Sequence, residues 1–123
     1  LGTAYQKLQM LKEAERAYLT ALEIVPDDMR VQNNLGFLYV ELGQYEKARA
    51  ALERAELLSR GKDSAVYANL GELHTAVGEL PQAVQAYQKA VALAPTNTVF
   101  SLKLKALEKK LAEDGASKNI PAR

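Results

Sequence analysis

The sequence has no cysteine, no tryptophan, one histidine and four prolines among 123 residues. Without cysteine there is no disulfide framework and no thiolate metal site, though this leaves the compartment undecided. The single histidine, His74, has no histidine or cysteine partner, whereas a zinc site needs about four ligands at set spacing. There is no Gly-x-x-x-x-Gly-Lys phosphate loop, since Gly61-Lys62 has Glu56 where the first glycine would stand, and no Gly-x-Ser-x-Gly nucleophile turn. Asp27-Asp28 reads as a helix cap, and Glu53 and Glu56 lie on a solvated face, so no carboxylate pair is expected to do acid–base work. No cofactor and no enzymatic activity are expected. Charge of one sign is also lacking: 16 Lys and Arg against 15 Asp and Glu leave a net +1, which gives no general pull toward nucleic acid or an anionic membrane. No apolar run approaches the roughly 18 residues of a membrane span. A soluble chain is expected, with the cytoplasm the preferred compartment. No signal peptide is visible, and a start at Leu1 rather than methionine leads us to expect residues upstream of it.

What the sequence does contain is a period. Gly2 to Gly36 is 34 residues and Gly36 to Gly71 is 35. Tyr5, Tyr39 and His74 repeat those steps, as do Ala14, Ala48 and Ala83, then Tyr18, Leu52 and Tyr87, then Ala21, Ala55 and Ala90. Pro26, Arg60 and Pro95 close each unit. Such a period is the mark of a repeat array. Each column has a physical reason. Glycine and alanine stand where two helices press together, and aromatic or leucine side chains fill the space beside them.

These residues (Leu-Gly, an aromatic, two alanines with a large residue between them and a closing proline) resemble the tetratricopeptide repeat family. The resemblance covers residues 1 to about 97. It implies an all-α fold, a right-handed solenoid of antiparallel helix pairs with a C-terminal capping helix, and it implies a non-enzymatic protein-binding module. The expected units are a partial repeat at 1–28, repeats at 29–63 and 64–97, a capping helix at 98–114 and a disordered tail at 115–123. Three departures stand out. Repeat one lacks its first six residues and has Gln9 where the others have a turn glycine. Repeat two has Arg60 for proline, with one extra residue in the loop 59–63. Repeat three has His74 for the aromatic; it is read as a packed substitute for tyrosine, with a pH-sensitive joint as the alternative.

Local signals place the helices. A first short helix is expected over residues 1–9 and a second over 12–24, with Leu11, Ala14, Tyr18, Ala21 and Leu22 on one face. Pro26 stops it and an aspartate caps the next. Helices are predicted over 29–42, 45–59, 64–77 and 81–93. Gly43 takes the usual glycine place at a helix end, and Pro81 sits at a helix start. A seventh helix over 98 to about 113 carries Leu102, Leu104, Leu107 and Leu111 against a polar back. The loop at 60–63 is expected to be looser than the turn at 26–28.

In such a stack the first helix of each pair lines the concave side. The candidate partner-binding residues there are Arg30, Asn33, Asn34, Phe37, Val40 and Glu41 in repeat two. Ala65, Ala68, Asn69, Glu72, Thr75 and Ala76 follow in repeat three. Thr3, Gln6 and Lys7 extend the row at one end, and Val99, Leu102 and Lys103 at the other. Asn34 and Asn69 share a column, and an amide offers both a donor and an acceptor, so the pair could hold the backbone of an extended peptide. The competing reading is that each asparagine bonds a neighbouring helix or water. Phe37 is either an exposed hot spot or a contact packed on the adjacent first helix. The family's carboxylate clamp for chaperone C-termini is disfavoured. Asn34 fits it, but Thr3, Ala65 and Asn69 stand where asparagine, lysine and arginine are needed, and a shift of one repeat leaves only Asn69 and Lys103. The expected partner is a protein or peptide segment. Self-association through the exposed edge of repeat one, as an assembly scaffold, is the alternative, and a regulatory role within a larger enzyme is a third.

Overall fold

A computed structural model of the chain describes residues 2–118. Among the described residues there are six helices and no strand: α1 (Gly2–Ile24), α2 (Met29–Glu41), α3 (Tyr45–Ser59), α4 (Ser64–Ala76), α5 (Leu80–Leu93) and α6 (Thr98–Lys118). The chain is an all-α solenoid. Helices α2 and α3 form one antiparallel hairpin and α4 and α5 the next. Helix α2 also lies beside α4, α1 packs on α2, and α6 packs on α5.

The caps are local chemistry. The Asp28 carboxylate accepts from the N–H groups of Arg30 and Val31 at 3.1 and 3.3 Å. Asp63 does the same for Ala65 and Val66 at 2.9 and 3.3 Å. Each satisfies donors that a helix start would otherwise leave unpaired. At the other end, α2 closes with paired bonds from Gln44 N to Tyr39 O (2.9 Å) and from Gly43 N to Val40 O (3.1 Å). That pattern needs a left-handed residue, and Gly43 supplies it at φ +73°. Gly78, at φ +82°, ends α4 in the same way.

The third such turn does not exist. The sequence reading expects two helices before Pro26, but α1 runs unbroken for 23 residues. Gln9 occupies the place of Gly43 and Gly78, and residues 6–14 are all good helix formers, so nothing turns the chain. Residues 3–10 consequently project as an arm on which every side chain is exposed. The expected seven helices become six, and α6 extends through Lys118, so residues 115–118 of the expected disordered tail are helical; residues 119–123 lie outside the described ones.

The core follows the columns. Ala48, Leu52, Ala55, Ala83 and Ala90 are fully buried, and Tyr87 nearly so. An ideal Cβ on Gly36 would sit 2.5 Å from Leu52 Cγ, and one on Gly71 would run into the Tyr87 ring. Glycine is therefore required by the helix crossing at both places. On α6, Leu104, Leu107 and Leu111 pack inward, whereas Leu102 is exposed. The loop after α3 is well bonded: Arg60, Gly61 and Lys62 N–H groups all find carbonyl partners. Arg60 reaches this geometry at φ +57°, a left-handed conformation that costs a residue with a side chain about 1–2 kcal/mol.

Candidate functional site

The residues proposed from sequence separate into two groups. The first consists of side chains that the fold itself pairs. Asn33 on α2 is buried, and its Oδ1 accepts from Asn69 Nδ2 on α4 at 2.8 Å. The two amides thus tie neighbouring helices together, which is the second of the two readings for Asn69. Glu72 on α4 accepts from the Tyr87 hydroxyl at 2.6 Å and from the ammonium of Lys103 on α6. Partial burial would raise the Glu72 pKa, but the hydrogen bonds from Lys103 and Tyr87 outweigh it and hold the carboxyl below its ordinary range. Tyr87 moves the opposite way: burial first and the Glu72 carboxylate second push its hydroxyl well up. Lys103, the groove lysine of α6, is therefore already matched by charge. Around this cluster lies an open cavity of about 210 Å³, walled also by Thr75, Ala106 and Leu107.

The second group stands free. Arg30, Asn34, Phe37 and Glu41 are all exposed on α2. Asn34, Phe37 and Glu41 form one wall of a cleft of about 200 Å³, and Leu11, Ala14 and Tyr18 of α1 form the other, with Leu38 at the base. Phe37 is 41% exposed. Leu11, Ala14, Tyr18 and Leu38 contribute apolar surface, so the cleft has an apolar floor with an amide and a carboxylate at its rim.

The neighbouring repeat shows why this cleft is open. Asn69 is the column-mate of Asn34, and α2 flanks it. Among the described residues nothing flanks α2 in the same way, because α1 continues straight where a first helix would fold back. The cleft is a vacant helix seat. Sequence reasoning named its α2 residues but missed the α1 wall, since Leu11, Ala14 and Tyr18 read as core positions. The signal that could have revealed it is Gln9 in place of the turn glycine.

His74 is mostly buried where Tyr39 stands in the previous repeat. Its Nδ1 lies 2.8 Å from Glu79 Oε1, and Arg49 Nη2 approaches the same oxygen at 3.4 Å. The hydrogen bond to His74, with help from Arg49, lowers the Glu79 pKa. Tyr39 instead donates to Glu15 on α1 at 2.9 Å, and burial together with that carboxylate pushes its pKa up to about 12. Both are joints between consecutive helices. Among the described residues, no group of histidine, cysteine, aspartate and glutamate side chains could hold a metal ion, and no helix is long and apolar enough to cross a membrane.

Comparison with known proteins follows the same lines. The sequence pattern of the tetratricopeptide repeat matches residues 1–60 and 27–96. Over 87 residues the chain is 36% identical to BBSome complex member BBS4 of Mus musculus, covering 71% of this chain and 16% of that protein. The chain therefore spans a small fraction of that relative's length. Among solved structures it is similar to the TPR2AB domain of yeast Sti1 in complex with pHSP90. The identity is 27%, the TM-score 0.82, and the match covers 98% of this chain and 48% of that one. It is also similar to part of an O-GlcNAc transferase mutant of Thermobaculum terrenum, at 29% identity and TM-score 0.74, over 79% of this chain and 18% of that one.

Proposed function

Because the chain belongs to the tetratricopeptide repeat family, we propose that it is a non-enzymatic interaction module that takes a segment of a partner protein in the groove beside α2. The observation that carries this reading is the contrast between the two groups of groove residues. Asn33 with Asn69 and Glu72 with Lys103 are satisfied inside the fold. Asn34, Phe37 and Glu41 border an apolar cleft and, among the described residues, make no such pairs. An apolar helix face suits this seat, with Phe37 as the anchor and Asn34 and Glu41 meeting polar groups at the rim.

The solved complex of yeast Sti1 with pHSP90 supports a protein segment as the class of ligand. It does not favour an acidic chaperone tail for this chain, because Lys103 is neutralised by Glu72 and Asn69 is bonded to Asn33. Binding that rests on apolar contact and amide hydrogen bonds should depend weakly on salt.

The test is a titration against a partner captured by the intact protein and identified by mass spectrometry. Asn34→Ala combined with Phe37→Ala is expected to weaken binding by about 10- to 100-fold, taking about 1.4 kcal/mol as tenfold. Asn69→Ala is expected instead to lower the thermal midpoint, because it leaves Asn33 buried without its partner. Undiminished affinity in the double variant would rule the groove out.

A further inference from the structure

We propose that the segment seated in this groove is the N-terminal arm of a second copy of the chain, each copy's arm lying in the other's groove, an assignment that rests on the groove being the binding site. The arm carries the residues such a seat requires. Tyr5 belongs to the column of Tyr39, and Leu8 to that of Leu42. Tyr39 is 6% exposed, and Leu42 packs against the core. Tyr5 and Leu8, in contrast, are 70% and 43% exposed. They lie three apart on one helix, so they face the same way. The sequence thus encodes core side chains that its own fold leaves in water.

The arm cannot reach its own seat. Gly36 packs on Leu52 and Gly71 on Tyr87, each across a hairpin and each sixteen residues apart. Gly2 and Tyr18 have the same spacing and the same residue types, but they lie on one straight helix, about 24 Å apart at 1.5 Å per residue. Gly2 can meet a Tyr18 only in another molecule. The vacant seat beside α2 has Tyr18 in its wall. The complementarity is therefore internal to the sequence: the arm matches the seat because both derive from one repeat pattern, opened at Gln9. Exchange of the arm between two copies closes a two-fold dimer with no unpaired seat left over, the usual form of a swapped element. It also removes the exposed Tyr5 and Leu8 side chains from water.

The experiment uses the chain as it is. Light scattering across a range of concentrations should show a monomer–dimer equilibrium. Gln9→Gly restores the residue that permits the turn and should give a monomer, whereas Gln9→Ala keeps the helix and should keep the dimer. Phe37→Asp, on the groove wall, should raise the dimer dissociation constant by about tenfold or more. Because the chain has no cysteine, the pair Gly2→Cys with Tyr18→Cys is a clean probe of the arrangement. It should form a disulfide between copies, since the straight helix holds the two sites far beyond the span of about 4.4–6.8 Å that a disulfide bridges. A wild-type chain that stays monomeric, or a cysteine pair that closes only within one copy, would overturn the exchange. If that monomer still captured a partner in a manner sensitive to Asn34 and Phe37, the groove would stand and only its occupant would be wrong. A dimer indifferent to both Gln9→Gly and Phe37→Asp would overturn the exchanged arrangement itself.

Discussion

Asn34 and Asn69 share a column, yet one is free and the other is bonded. The difference is made by neighbours that lie far apart in sequence, and for that reason the sequence could not separate them. The same is true of Glu72, whose Lys103 partner lies on another helix. Burial and helix capping, by contrast, were largely legible: Asp28 caps as read, and the alanines of repeats two and three lie in the core, whereas the cap by Asp63 went unread in a stretch taken only as a polar loop. The ion pairs carry a pH consequence. Glu72 and Glu79 have lowered pKa values in the folded chain. The unfolded chain therefore binds more protons as pH falls, and their stabilising contribution is complete above the ordinary carboxylate range and lost below it. Tyr39 works at the other end. Its folded pKa is raised from 10.0 to about 12, so its contribution is present below pH 10 and fades as pH rises toward 12. Urea unfolding from pH 3 to pH 11 should show a plateau between these limits. Glu72→Gln should make the acid limb shallower, with Glu79 still contributing, and Tyr39→Phe should do the same to the alkaline one, where Tyr87 still contributes.

The helices follow from local signals wherever a glycine or proline punctuates them. Gly43 and Gly78 end α2 and α4 because glycine adopts the left-handed geometry without strain. The N-terminal element differed from its expectation because a glycine was missing and nothing else could turn the chain. The period places residues 1–9 in a separate helix, but local propensity decides in favour of a single one. Glycine at the crossings is equally specific. Gly71→Ala should destabilise by about 1–3 kcal/mol through overpacking, less the roughly 1 kcal/mol that alanine gains in a helix. Tyr87 has little freedom to move, being 2% exposed and bonded to Glu72. Gly36→Ala should cost less, because Leu52 is the more flexible neighbour. Thermal unfolding of the two variants checks the order, and equal midpoints at the wild-type value would contradict the close crossing.

At the scale of the molecule, the candidate site is the cleft between α1 and α2, where the straight course of α1 leaves one face of α2 uncovered among the described residues. The repeat period made the architecture readable from sequence alone. The site was readable only in part, because it is formed by the failure of a repeat to close. NMR titration of the isotopically labelled chain with its captured partner, or with increasing concentration of the chain itself, tests this most directly. The account predicts shifts concentrated at Leu11, Ala14, Tyr18, Asn34, Phe37 and Glu41, with the Asn33–Asn69 amides unmoved. Shifts confined to α3 and α5, with the groove beside α2 silent, would contradict it.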